Sequence, residues 1–342
     1  MRAAVYHGPG RIEVADVAEP ASPGEGDVVV RVRRAAICGT DATEWDHGPV
    51  LARPPVVLGH EFTGEIVDEG QANQPFSVGD RVVSGAGIWC GACEWCRRGR
   101  TNLCASYRTL GLQIDGGLAE YVAVPTKTLV KVPDSVSDDA AAIGQPLAVA
   151  LHAVRRSRLA RGESCVVVGA GGIGAFIVAA AARVGAGSVV AVDVDDERLA
   201  TARRLGATDA INVTGRDLAD TIRSATDGIG PDVLIESTGA GHVPAAALGS
   251  VKRGGRVLIV GLQGRPLELD LLKATVNEIE LTTTLAHVCE KDLPEAVDML
   301  ATSDLATWTI DRTIGLSELV DVGIRSLVDR TARGKIVVDP WS

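Results

Sequence analysis

The stretch from Cys165 to Asp193, CVVVGAGGIGAFIVAAAARVGAGSVVAVD, limits what this chain can fold into more than any other. Strand-forming residues, Cys165 to Val168, run into Gly169-Ala170-Gly171-Gly172-Ile173-Gly174, and an alanine-rich helical segment follows. A G-x-G-x-x-G has weight because of where it stands, at a strand-to-helix junction. Gly169 permits the tight turn, Gly171 lets backbone approach a pyrophosphate with no Cβ in the way, and Gly174 allows close packing of helix on strand. Gly172 and Ile173 complete the turn at the helix N-terminus, whose free N–H groups and positive dipole end suit a doubly anionic ligand. The next strand, Ser188 to Val192, runs into Asp193, whose carboxylate can accept hydrogen bonds from an adenosine ribose. A carboxylate there repels a 2′-phosphate and no Arg follows directly, so NAD is favoured over NADP. A glycine turn in some unrelated α/β domain is the competing reading, and the ordered strand, turn, helix, strand and acid argue against it. A membrane span is excluded, because Arg183 interrupts the apolar run well short of the ~20 residues a span needs.

At 342 residues, 46% hydrophobic and 23% charged, the chain can build two domains with separate cores. A formal net charge of −10, without a basic cluster to track a phosphate backbone, weighs against nucleic acid. The N-terminal MRAAVYHGPGRIEV lacks an apolar segment of signal-peptide length, so a cytoplasmic protein is expected, with no membrane partner. Seven cysteines in such a chain point to metal binding before disulfides.

The chain divides by texture. Residues 1–144 carry short β-type runs punctuated by Gly, Pro and Asp, which predict a small barrel or sandwich. From Gln145-Pro146 to about residue 286 strands and helices alternate, which predicts a doubly wound parallel sheet. From about His287 to 342 come a helix at Leu293–Leu300, another near Leu316–Leu327 and a closing strand, Gly334–Val338, expected to return to the first domain.

Cys90, Cys93, Cys96 and Cys104 are spaced C-x2-C-x2-C-x7-C within a lobe of about residues 88–106. Small residues between the first two allow neighbouring thiolates to converge on one tetrahedral ion. An iron–sulfur run of the bacterial type would close after three residues and with a proline; this one closes after seven without one. Zinc is therefore expected, in a structural site with no open position.

Together, Ala36-Ile37-Cys38-Gly39-Thr40-Asp41, Val57-Leu58-Gly59-His60-Glu61, Val78-Gly79-Asp80-Arg81-Val82, the four cysteines and Gln145-Pro146-Leu147-Ala148-Val149-Ala150-Leu151-His152 give a chain that resembles the zinc-dependent medium-chain alcohol dehydrogenases. It is most similar to their polyol, butanediol and threonine dehydrogenase branch. The resemblance spans nearly the whole sequence. It implies a GroES-like catalytic domain around an inserted Rossmann domain, an active site in the cleft between them, and a homodimer or homotetramer. By position it implies that Cys38, His60 and Glu61 serve a catalytic zinc, in addition to the structural one. Thr40 would hydrogen-bond the substrate oxygen and begin a proton relay. Arg198 would lie beside the adenine, and Thr238 and Val260 near the nicotinamide half.

Three positions depart from the branch. Thr43 stands where a relay histidine is usual, with His47 nearby as a substitute or as an ordinary solvated side chain. Gln145 stands where glutamate is common. Leu285-Ala286-His287 is an atypical match where backbone meets the carboxamide. The function implied is hydride transfer between a secondary alcohol or polyol and NAD. The alternatives are a threonine-type amino-alcohol dehydrogenase and a non-catalytic, zinc-stabilised NAD-binding protein.

Overall fold

The computed structural model describes residues 1–70 and 75–342 and resolves into two compact units. One comprises Met1–Ala148 and Ala286–Ser342, the other Val149–Leu285. The first changeover falls inside the helix Gly144–Ser157.

The discontinuous unit is built on a mostly antiparallel sheet. Strand Asp27–Ala36 is its spine: its first half pairs with Tyr121–Pro125, its last two residues pair with Lys335–Asp339, and Glu61–Asp68 lies along its other edge. Arg81–Ser84 and Leu129–Lys131 extend the sheet on one side, and Ile310–Gly315 on the other. Val28, Val30 and Val32 alternate along the spine into a core with Phe62, Ile66, Leu118, Ile336 and Val338, as the period of two in a strand requires. The last strand, expected over Gly334–Val338, is observed as Lys335–Asp339. The helix expected over Leu293–Leu300 begins earlier and runs Cys289–Ala301 around Pro294. The segment expected as one helix near Leu316–Leu327 is instead a 3-10 turn, a π-helical stretch over Leu319–Ile324 and a short α-helix, Arg325–Val328.

The continuous unit holds six parallel strands in the spatial order Asp209–Asn212, Ser188–Asp193, Ser164–Val168, Val233–Glu236, Arg256–Ile259, Glu280–Thr283. Numbered in chain order this is 3-2-1-4-5-6, the dinucleotide-binding order, with its reversal point between the first and fourth strands. Val166, Val167, Leu234, Ile235, Val257 and Leu258 are fully buried, which explains why these strands read as continuous apolar runs rather than alternating ones. A helix at Leu271–Val276, absent from the sequence reading, opens on Asp270, whose side chain accepts from the Lys273 amide.

Candidate metal and coenzyme sites

C-G-T-D, residues Cys38 to Asp41, is a helix start. Cys38 has extended backbone, and its amide donates to Asp41 Oδ2 at 2.9 Å, reaching from the N-cap to the third residue of helix Gly39–His47. The Cys38 sulfur therefore sits at the positive end of a helix. Gly59 delivers His60 from the other side: its φ is +97°, and a Cβ there would lie 2.5 Å from the Leu118 nitrogen, so only glycine fits. Glu61 opens strand Glu61–Asp68, in register with Ala36 on the spine. Three residues from two sequence cassettes thus converge, with one ligand atom each of Cys38, His60 and Glu61 lying within 4.8 Å of one another.

Thr40 Oγ1 lies 3.6 Å from the Cys38 sulfur, in hydrogen-bond contact. Asp41 is fully buried, with Oδ1 3.9 Å from His60 Nδ1. Burial opposes a charge on His60, but Cys38, Asp41 and Glu61 around it outweigh that and push its pKa up to about 10. Burial likewise raises the Asp41 carboxyl, against the pull of His60. So much negative charge around one imidazole favours a cation. Glu61 Oε2 is ion-paired with Lys335, whose ammonium also donates to the Ile37 carbonyl at 2.7 Å.

The four cysteines meet as their spacing predicts. Their sulfurs lie within 4.8 Å of one another, with 3.5 Å between Cys93 and Cys96 and 3.9 Å between Cys90 and Cys96. Zinc–sulfur bonds of ~2.3 Å in a tetrahedron require sulfurs about 3.8 Å apart, so the cage fits the ion. Backbone amides of Ala92 and Cys93 donate to Cys90 Sγ, and those of Cys90 and Ser106 to Cys104 Sγ. Amide donors hold the Cys93 thiol down to about 6, which suits a thiolate ligand. Strands Gly87–Ile88 and Arg108–Thr109 pair to close the base of the loop.

In the continuous unit the glycine turn has the geometry its sequence implies. Gly169 has φ +93°, and a Cβ on Gly174 would lie 1.8 Å from the Gly169 carbonyl oxygen. Gly171, Gly172 and Ile173 make the junction into helix Gly172–Val184. Asp193, 8% exposed, accepts from the Ala170 amide at 2.6 Å and from the Val194 and Asp195 amides. Its carboxylate is thereby fixed beside the turn. Arg198 folds back from helix Asp196–Arg204 to 4.0 Å from Asp193, next to Gly171. Across the reversal point, the methyl of Thr238 faces Gly169, and its hydroxyl donates to buried Glu236. The Val260 amide donates to the Glu236 carbonyl, and Gly261 packs on Gly239.

Comparison with known proteins identifies two family models along the chain. The alcohol dehydrogenase GroES-like domain model matches residues 24–134, and the zinc-binding dehydrogenase model matches 172–302. Sorbitol dehydrogenase of Bacillus subtilis (strain 168) is 32% identical over 99% of this chain and 97% of its own length. L-threonine 3-dehydrogenase of Shewanella woodyi is 39% identical over 73% of this chain and 74% of its own. The crystal structure of 2R,3R-butanediol dehydrogenase from Bacillus subtilis superposes with a TM-score of 0.90 at 30% identity, covering 99% of both chains. The chain belongs to the zinc-dependent medium-chain alcohol dehydrogenase family. It is an oxidoreductase that works with zinc and a nicotinamide dinucleotide.

Within this dehydrogenase two departures from the branch acquire a physical setting. Thr43 is exposed, and its hydroxyl donates to the Gly39 carbonyl in the helix. The His47 side chain is 74% exposed at the helix end, beside Asp46, so it stands as a solvated histidine. Gln145 is 4% exposed in the first turn of helix Gly144–Ser157. Sequence reasoning assigned no role to Asp41 or Lys335. Lys335 did carry a signal, a lone charge opening the apolar run of G-K-I-V-V. What was missing was the strand pairing that sets it beside Glu61.

Proposed function

We propose that this chain interconverts a secondary alcohol or polyol and the corresponding ketone, with NAD as the hydride carrier. The observation that carries the reading is the convergence of Cys38, His60 and Glu61 within 4.8 Å, with the Thr40 hydroxyl against the Cys38 sulfur. When bound, zinc supplies Lewis acidity toward the substrate oxygen and NAD takes up the hydride. Cys38, His60 and Glu61 hold the ion, and the thiolate and carboxylate together balance its charge. Neutral Gln145 adds no third negative group. Asp41 lies behind the His60 ring, its Oδ1 3.9 Å from Nδ1, and acts on it through charge rather than a hydrogen bond. The Thr40 hydroxyl bonds the substrate oxygen and passes its proton onward. Cys90, Cys93, Cys96 and Cys104 hold a second zinc whose role is to fold their loop.

In the coenzyme half, Gly169, Gly171, Gly172, Ile173 and Gly174 receive the pyrophosphate and Asp193 the adenosine ribose. Arg198 lies on the adenine side, and Thr238 and Val260 line the nicotinamide side. Thr238 does so through methyl and backbone, since its hydroxyl is engaged by Glu236.

A cytoplasmic setting is supported by cysteine usage, with five of the seven cysteines proposed as zinc ligands and none in a disulfide. Among the described residues no helix is long and apolar enough to cross a membrane. Assembly into at least a dimer is supported by the sheet edge at Glu280–Thr283. The preceding helix leaves Leu271, Leu272 and Val276 63%, 75% and 66% exposed, three large apolar side chains within six residues.

The test of the activity is NAD reduction by the purified zinc-loaded protein against a panel of diols, polyols, cyclitols and threonine. Turnover of a polyol or diol, abolished by Cys38→Ser, is the expected result. Threonine as the best substrate would move the reading to amino-alcohol oxidation. No turnover on any member would leave a zinc-stabilised NAD-binding protein.

A further inference from the structure

Lys335 is 6% exposed at the start of strand Lys335–Asp339, where Ile336, Val337 and Val338 are fully buried. A buried ammonium is costly unless closely paired, and this one has two partners. It donates to the carbonyl of Ile37, the residue before Cys38, and it is ion-paired with Glu61 Oε2. One ammonium therefore ties the backbone entering one metal-site residue to the side chain of another. The pairing follows from register, since Ala36 on the spine faces both Glu61 and Val337. An apolar side chain would fill this strand position without the desolvation penalty.

We infer that Lys335 is a positioning residue that shares the Glu61 carboxylate with the catalytic metal and so keeps Glu61 a weak ligand. The inference rests on the proposal that Cys38, His60 and Glu61 hold that metal. With Oε2 engaged by an ammonium, the carboxylate donates less charge to a cation on its other side, and the ion remains a better Lewis acid. A purely structural role, holding two strands together, would leave the metal's ligand field untouched.

The test uses the zinc-loaded enzyme and its Lys335→Met and Lys335→Arg variants. Zinc loss to 1,10-phenanthroline is followed alongside circular dichroism, and the d–d spectrum is recorded after cobalt replaces the faster-leaving ion. Lys335→Met is expected to slow loss of that ion by about 10-fold, the scale usual for changes just behind metal ligands. It should also shift the cobalt bands, while Lys335→Arg restores wild-type behaviour. Should Lys335→Met fail to fold, Lys335→Gln keeps a donor for Ile37 without the charge and carries the same expectation. A folded variant that releases zinc at the wild-type rate or faster, with unchanged cobalt bands, overturns the inference. Wild-type protein holding zinc only at the cysteine loop would instead sink the metal reading on which it rests.

Discussion

Asp193, the residue proposed to select the coenzyme, is bound on three sides by backbone amides. No basic residue follows it directly in sequence, yet the helix turn brings Arg198 back beside it. An arginine at this place could receive a 2′-phosphate if the carboxylate were gone. The wild-type protein is expected to prefer NAD over NADP by at least ~10-fold in kcat/KM, a difference of only about 1.4 kcal/mol. Asp193→Ala should narrow that gap, both by removing repulsion and by unmasking Arg198. Steady-state kinetics with both coenzymes measures it, and equal use of the two by the wild type would contradict the assignment. Sequence revealed the carboxylate because a strand-ending acid after a glycine turn is a local pattern. The resemblance placed Arg198 beside the adenine, but its approach to Asp193 needs the turn of the intervening helix. Cys38, His60 and Glu61 were reached through the family resemblance, which short cassettes carry, and the structure brings one ligand atom of each within 4.8 Å of the others. Asp41 and Lys335 act through what they touch, and Lys335 reaches Glu61 only across a strand pairing that no spacing encodes.

Among the elements, the cysteine loop is the clearest case of spacing dictating structure. Cys104 is the residue that closes it, buried while Cys90 is exposed. Cys104→Ser removes one of four thiolates from a closed cage, so melting temperature and zinc content should fall together. An unchanged melting temperature with unchanged zinc, by calorimetry and metal analysis, would rule out the structural role.

The parallel sheet offers a second test, at the entrance to strand Val233–Glu236. Partial burial works against ionisation of Asp232, but Lys252 and the Ser164 amide and hydroxyl outweigh it and hold the carboxyl at about 2. Its unfolded value is about 3.9. A depressed carboxyl supports the fold above its unfolded pKa, and that support is lost as pH falls from about 4 through 2. Asp232→Asn should therefore cost on the order of 1 kcal/mol at pH 7, allowing for solvent screening, and progressively less below pH 4. Urea midpoints of both proteins across that range show it, and a pH-independent difference would refute it. The π-helical stretch at Leu319–Ile324 shows the opposite limit of legibility. Its apolar spacing suits an ordinary helix, and only the surrounding packing selects the wider turn.

For the whole molecule, the exposed edge at Glu280–Thr283 makes assembly testable without touching either metal site. Leu272→Glu with Val276→Glu places charge on side chains already exposed to solvent, so each chain should fold as before. Light scattering is expected to show a shift toward monomer. An unchanged oligomer would place the interface elsewhere.

Strand Lys335–Asp339 sits between Asp27–Ala36 and Ile310–Gly315, so the first unit's sheet remains open until that strand arrives. On a ribosome the consequence is an order of events. Cys38, His60, Glu61 and all four loop cysteines emerge early, and Val149–Leu285 can close its own core while the remainder is still being made. The surroundings of Glu61 are finished last, when Lys335 leaves the exit tunnel. A nascent chain halted before that point carries Cys38, His60 and Glu61 without the ammonium that pairs with Glu61, and on the inference drawn above such a chain would grip a cation there more tightly than the finished fold does.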